Sequence, residues 1–128
     1  MTDEELVQKA IEYRKNSYSP YSHFAVGAAV LTKSGKVFGG CNIENASYPV
    51  GICAERTAIS KAVSEGERDI VALAVVGDTP GPCSPCGMCR QFISEFKIPK
   101  IIMANLKDVR KTVTLEELLP FGFTDSDM

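Results

Sequence analysis

Residues 53–76 read CAERTAISKAVSEGERDIVALAVV, and this stretch decides the fold class. Its first half has apolar residues such as Ala58 and Ala62 at helical spacing, and Gly66 is a typical helix stop. Its second half, residues 70–76, is a continuous apolar run, as expected for a strand that is covered on both faces. A helix that leads into such a strand belongs to a β-α-β unit, so the stretch predicts an α/β fold.

The flanking sequence extends this pattern in both directions. Upstream, the spacing predicts a helix over about residues 3–16 and a β-hairpin made of two short apolar runs, 25–31 and 36–41. Downstream, we predict a helix with Ser84 as its N-cap and Pro85 in its first turn. Two more strands and a short final helix, at 100–104, 111–114 and from Thr114 to Pro120, complete the order α-β-β-α-β-α-β-β-α.

This order predicts how the elements assemble. Successive β-α-β units over residues 36–76 and 70–104 imply a three-stranded parallel centre with right-handed crossovers. The first hairpin strand and the last strand are expected to run antiparallel to their neighbours. Helices on both faces then give a three-layer α/β/α sandwich with a mixed five-stranded sheet, and we expect residues 1–128 to form a single domain.

Composition and charge exclude several classes of function. The 128 residues carry a formal net charge of −2, so the chain lacks the basic field that non-specific binding to nucleic acid requires. No apolar run approaches the roughly 18 residues of a membrane span, and the acidic first residues do not read as a secretory signal. We therefore expect a cytoplasmic protein that has neither a nucleic-acid polymer nor a membrane as its partner.

The cysteines carry the first functional signal. There are five, an odd number, and three of them crowd into residues 83–89, which argues against a disulfide framework. Cys53 precedes one predicted helix, and Cys86 and Cys89 lie in the opening turns of the next. Because such helices begin at the same edge of a parallel sheet, the three thiolates can converge on one cation, which zinc suits best. Three protein ligands leave a fourth position open, as in catalytic zinc sites.

The residues beside Cys53 suggest what the open position is for. Glu55 can reach beyond the helix end and carry protons between water and a substrate. A zinc ion with three thiolates carries a net negative charge, so a cationic donor to the sulfurs is needed. Arg56 is the first candidate for this role, and Arg90 is a second.

Cys83 keeps non-enzymatic interpretations open. With it the run becomes C-x2-C-x2-C, which is also typical of an iron–sulfur protein, although Ile93 stands where the bacterial pattern has its fourth cysteine. A closed structural zinc site that includes Cys83 is the other alternative. Cys41, at a predicted strand end, is expected to be a small packed residue rather than a ligand.

Beyond these local arguments, the chain resembles the zinc deaminases, whose signature is a Cys- or His-x-Glu segment followed by Pro-Cys-x-x-Cys. More specifically, it resembles the small homotetrameric cytidine deaminases. The motifs that carry this resemblance span most of the chain in order: Tyr21–Ala28, Asn42–Tyr48, Cys53–Ala58 and Pro85–Gln91.

The resemblance implies a reaction and a cofactor. A cytidine deaminase converts cytidine and deoxycytidine to uridine and deoxyuridine in pyrimidine salvage, by hydrolysis with a zinc-activated hydroxide. It implies one zinc ion per chain on Cys53, Cys86 and Cys89, with Glu55 as the proton shuttle. A related deaminase of a cytosine-containing nucleoside antibiotic shares the metal motifs and is the alternative.

The resemblance also implies contacts with the substrate. Phe24 would pack on the base, and Asn42 and Glu44 would hold the ribose hydroxyls. The backbone N–H of Ala54 would help to hold the base carbonyl. In a homotetramer, neighbouring subunits would complete the site, and by position the contributing residues are Tyr48 and an aromatic in Phe121-Gly122-Phe123, where spacing favours Phe123.

Overall fold

The computed structural model describes all residues, Met1–Met128, and its elements follow the predicted order. The helices and strands are α1 (Asp3–Arg14), β1 (Val26–Thr32), β2 (Val37–Cys41), α2 (Ala54–Ser64), β3 (Ile70–Gly77), α3 (Gly87–Glu95), β4 (Lys100–Asn105), β5 (Arg110–Thr114) and α4 (Leu115–Leu118). Short 3-10 turns lie at Tyr48–Val50 and Asp125–Asp127. No helix is both long and apolar enough to cross a bilayer.

The five strands form one mixed sheet in the order β2-β1-β3-β4-β5. Only β3 and β4 pair in parallel, so the predicted three-stranded parallel centre is wrong. β1 lies between β2 and β3 and is antiparallel to both. Its residues Ala28, Ala29 and Val30 are fully buried, so this strand needs cover on both faces and a neighbouring strand on each side. β2 still points in the same direction as β3, so α2 and α3 begin at the same edge of the sheet.

Helices cover both faces of the sheet, which confirms the three-layer sandwich. α1 packs alone on one face, where Leu6, Val7 and Ala10 join a cluster with residues of β1, β3 and β4. The other three helices cover the opposite face, to which α3 contributes Ile93 and α4 contributes Leu118. α2 packs against the sheet on this second face, where Ala54 and Ala58 belong to the larger of the two core clusters. This packing fixes the position of the N-terminus of α2.

Gly40 allows α2 to come close to the sheet. A Cβ atom at this position of β2 would lie 2.6 Å from the backbone nitrogen of Ala58 and 2.8 Å from Cβ of Thr57. Real side chains do not tolerate such distances, so a glycine is required here. The close contact of α2 with β2 fixes where the first turn of the helix, and hence Cys53, lies.

The helix that carries Pro-Cys-x-x-Cys begins later than predicted. Ser84 is not its N-cap: α3 starts at Gly87, and Cys86 is the N-cap with extended backbone. The reason is Arg90, whose Nη2 donates to the Ser84 hydroxyl at 2.6 Å and whose Nε donates to the Pro85 carbonyl at 2.9 Å. These bonds hold Ser84 and Pro85 in a loop against the helix, and Cys86 takes the capping position.

Candidate active site

The three predicted ligand cysteines lie together at the starts of α2 and α3. Their Sγ atoms are all within 4.8 Å of one another, and those of Cys53 and Cys86 are 3.8 Å apart. Tetrahedral zinc with Zn–S bonds of about 2.3 Å would hold its sulfurs about 3.8 Å apart, so this donor set fits zinc. Cys41 and Cys83 lie outside the cluster, so the chain does not form the closed four-thiol site.

Hydrogen bonds within the cluster favour the thiolate at Cys53. Its hydrogen bond with Cys89 and then that with Arg56 lower the pKa of Cys53 to about 5, while the pKa of Cys89 is raised. The Nη2 atom of Arg56 donates to Cys53 Sγ at 3.8 Å, and its Nε is buried without a hydrogen-bond partner in the chain. A cationic group with a free donor therefore lies against the sulfurs, where it would offset the charge of a tri-thiolate site.

Arg90 does not reach the sulfurs, so its prediction as a second donor to them is wrong. Besides Ser84 and Pro85, its guanidinium donates to the carbonyl of Leu118 at 2.7 Å. All of the hydrogen bonds of its side chain go to the loop that precedes α3 and to α4. Arg90 instead ties the start of α3 to the C-terminal part of the chain.

Glu55 lies in the first turn of α2 and is only 4% exposed. Burial raises the pKa of its carboxyl group to about 7. It lines a cavity of about 170 Å³ together with Cys53 and Cys86. A carboxyl group with such a pKa can both accept and release a proton near neutral pH.

Two cavities share Cys53 of the thiol cluster in their walls. The small one, which holds Glu55, is walled by Phe24, Val26, Asn42, Cys53, Ala54, Cys83, Ser84 and Cys86. A larger groove of about 480 Å³ adjoins it and lies within the size range of small-molecule sites. Asn42 and Cys53 line both spaces, whereas Glu44 and Tyr48 line only the groove.

Asn42 is held by the loop that carries Phe24. Its Oδ1 accepts the N–H of Val26 at 2.9 Å, and its Nδ2 donates to the carbonyl of Phe24 at 2.8 Å. Phe24 itself is 40% exposed in the wall of the small cavity. Asn42 therefore fixes the backbone on both sides of Ala25 and, with it, the wall that Phe24 forms.

Glu44 is held by the preceding turn of the same loop. Its carboxylate accepts the backbone N–H groups of Tyr21 at 2.9 Å and Ser22 at 3.1 Å, and also the Ser22 hydroxyl. The hydrogen bond from the Ser22 hydroxyl is the main cause that lowers the pKa of Glu44. Glu44 is therefore ionised at neutral pH and oriented before any ligand binds.

The aromatic residues predicted to act between subunits are exposed in the single chain. Tyr48 is 76% exposed at the rim of the groove, and its ring lies 6.0 Å from that of Tyr21. Phe121 and Phe123 are also exposed, and neither lines the groove or the small cavity. The choice of Phe123 over Phe121 stays a prediction.

Sequence reasoning missed two residues of the cavity region. Cys83, for which the sequence suggests an iron–sulfur run or a closed zinc site, is buried in the wall of the small cavity instead. Ser22 links Glu44 to Phe24, since its hydroxyl oxygen also accepts the Phe24 N–H at 3.0 Å. The signal for Ser22 was available, because a serine that accepts the N–H two residues later is a common turn motif.

Comparison with known proteins places this site in a family. Residues 1–105 match the family described as the cytidine and deoxycytidylate deaminase zinc-binding region. The matched residues include all three clustered cysteines and Glu55.

Relatives match over nearly their whole length. The chain is 52% identical over 125 residues to a cytidine deaminase of Halalkalibacterium halodurans, covering 96% of this chain and 95% of that protein. It is 48% identical to one of Sporosarcina psychrophila over 100% of this chain and 96% of that protein. Among solved structures, a cytidine deaminase from Burkholderia pseudomallei superposes with a TM-score of 0.93 at 45% identity, covering 96% of this chain and 100% of that chain.

Proposed function

The chain belongs to the cytidine and deoxycytidylate deaminase family and catalyses the hydrolytic deamination of cytidine, and we propose that Glu55 moves the protons of that reaction. The observation that carries this proposal is the buried carboxyl group in the cavity beside the three clustered thiols. The overall reaction consumes one water and releases one ammonia for each uridine formed. We extend the proposal to deoxycytidine and to residues 1–128 acting as one catalytic domain.

Cys53, Cys86 and Cys89 are the residues that would hold the zinc ion of this family. When bound, zinc lowers the pKa of water toward neutrality and so supplies a nucleophile at neutral pH. Glu55 would accept a proton from the attacking water and pass it to N3 of the cytosine ring. It would then accept the second proton from the same oxygen and pass it to the amine, which leaves C4 as ammonia. Its burial favours this role, because a carboxyl group with a pKa of about 7 can hold the proton between these steps.

The small cavity is the proposed site of the base. Phe24 would lie against the flat ring, as aromatic side chains do in base-binding pockets. The backbone N–H of Ala54, at the start of α2, would donate to the base carbonyl. In this position, C4 of the ring faces the thiol cluster and Glu55.

The adjoining groove is the proposed site of the sugar. Asn42 and Glu44 border it, and both are oriented by hydrogen bonds to the loop that carries Phe24. They would bind hydroxyl groups of the ribose, and a grip on the 3′ side would accept deoxycytidine as well. Relatives named cytidine deaminase favour this reading over an antibiotic substrate or an iron–sulfur protein.

Ultraviolet absorbance tests the proposal directly. We expect the purified zinc-loaded protein to deaminate cytidine and deoxycytidine but not free cytosine. Glu55→Gln should keep its zinc and fold but lose about 10²–10⁴-fold in kcat, the typical contribution of a general acid–base residue. Near-normal turnover in Glu55→Gln would remove Glu55 from the mechanism, and turnover of cytosine alone would refute the ribose contacts.

We further propose a cytoplasmic homotetramer in which Tyr48 and Phe123 complete the sites of neighbouring subunits. Their exposure in the single chain supports this, as does the need of clustered free thiols for a reducing compartment. When the protein is diluted until the tetramer dissociates into monomers, the sedimentation coefficient and the activity per subunit should fall together. A monomer with full activity would overturn the role of both aromatics.

A further inference from the structure

One hydroxyl group connects the sugar and base halves of the proposed substrate site. The Glu44 carboxylate accepts the Ser22 hydroxyl through Oε2 and the backbone N–H groups of Tyr21 and Ser22 through Oε1. The same Ser22 oxygen accepts the N–H of Phe24 at 3.0 Å. A chain of hydrogen bonds therefore runs from Glu44, in the groove, through Ser22 to Phe24, in the small cavity.

The backbone around Ser22 makes this chain of bonds short. His23 has a φ of 57°, in the left-handed region that residues other than glycine adopt uncommonly. The N–H of His23 donates to the Ser19 carbonyl at 3.0 Å, so the polypeptide backbone forms a turn between Ser19 and Phe24. The Ser22 hydroxyl closes this turn, and Ser22 is the only residue whose side chain is hydrogen-bonded to both Glu44 and the Phe24 N–H.

We propose that Ser22 is a positioning residue that couples ribose binding at Glu44 to base binding at Phe24, an inference that rests on the proposed substrate contacts. The hydroxyl donates its one hydrogen to Glu44 and accepts the N–H of Phe24. Removing it therefore loosens the positions of both Glu44 and Phe24. Each carboxylate oxygen can accept more than one hydrogen bond, so Oε2 can also accept a sugar hydroxyl. A sugar bound there contacts the same carboxylate that holds the turn before Phe24.

Steady-state kinetics with two substrates test this coupling. Ser22→Ala should raise the KM for cytidine about twofold to tenfold, the range for one hydrogen bond, with little change in kcat. For 2′,3′-dideoxycytidine, which lacks the 2′ and 3′ hydroxyls of the sugar, the KM should rise by a smaller factor. A merely structural defect would lower the active fraction and hence kcat, rather than separate the two KM values.

Two further variants serve as controls. Ser22→Thr keeps the hydroxyl and should restore the KM for cytidine. Ser34→Ala removes another exposed serine hydroxyl that donates to a glutamate, Glu67, at 2.9 Å in the distant hairpin turn, and should leave both KM values unchanged.

The contradicting results are distinct. An unchanged KM in Ser22→Ala, an equal rise for both substrates, or a failure of Ser22→Thr to restore the KM would overturn the coupling. Equal KM values of the unaltered protein for the two substrates would refute the ribose assignment and the coupling with it. That outcome is recognisable because it appears before Ser22 is changed.

Discussion

The four helices of this protein begin in two different ways. α1 and α4 each begin with a Thr-x-x-Glu capping box, in which the Thr2 and Thr114 hydroxyls accept the N–H groups of Glu5 and Glu117. α2 and α3 begin with cysteines, and neither Cys53 nor Cys86 caps its helix with a side-chain hydrogen bond.

The difference shows how one local property serves two purposes. Every helix start has free N–H groups and a partial positive charge. In α1 and α4 the chain satisfies them with its own side chains, which stabilises the fold. In α2 and α3 the thiol cluster lies at the helix starts, where the partial positive charge would offset the negative charge of three thiolates. Binding chemistry thus replaces capping where both helices meet.

The largest expected effect separates ligand cysteines from the others. Cys86→Ala should lose most of its zinc and with it the deaminase activity, because a three-thiolate site cannot hold the ion with two. Cys83→Ala, three residues earlier and outside the cluster, should keep a full equivalent of zinc. Metal analysis of both purified variants measures this. Zinc loss from Cys83→Ala, or its retention in Cys86→Ala, would mean that the ligand set is wrong.

A smaller effect is expected at Arg56. We propose that its contact with Cys53 stabilises the charged site, so Arg56→Ala should weaken zinc binding about 10-fold to 100-fold, as is typical for groups that support metal ligands. The rate of zinc transfer to a chromogenic chelator reports this without an activity assay. Arg56→Lys, which keeps the charge, should release zinc at a rate between those of the unaltered protein and Arg56→Ala. If all three proteins release zinc at the same rate, the role of Arg56 is refuted.

The smallest effect is expected at a capping box. Thr2→Ala should lower the free energy of unfolding by about 0.5–2 kcal/mol, measured in denaturant, and leave kcat unchanged. Hydrogen bonds from Thr2 lower the pKa of Glu5 in the folded chain, so the contribution of Glu5 is complete above its unfolded pKa of about 4.3. It disappears as the pH falls through the lower folded value, so the stability difference between the two proteins should narrow there but not vanish, because the Thr2 hydroxyl still accepts the Glu5 N–H. A difference that grows in acid would contradict this account of the box.

Much of the fold could be predicted because local signals agreed with it. The Thr2 and Thr114 capping boxes and the apolar run in β3 are set by residues close in sequence. Strand adjacency was predicted wrongly because β1 lies between β2 and β3, and the order of strands in a sheet depends on contacts between residues distant in sequence. The start of α3 was misplaced for a similar reason, since Arg90 reaches back to hold Ser84 in a loop.

The metal cluster followed from topology together with spacing. Helices that begin at one sheet edge bring Cys53 to Cys86 and Cys89, despite the long sequence separation. The position of Cys83 in the cavity wall and the link through Ser22 could not be derived in the same way. Both depend on the path of loops, which side-chain hydrogen bonds determine in three dimensions.

X-ray absorption at the zinc edge of the purified protein would test most directly the claim that two uncapped helix starts build an open metal site. We predict three sulfur neighbours at about 2.3 Å and one oxygen or nitrogen neighbour at about 2.0 Å. Four sulfur neighbours would contradict the account, because they would leave no position beside Glu55 for water.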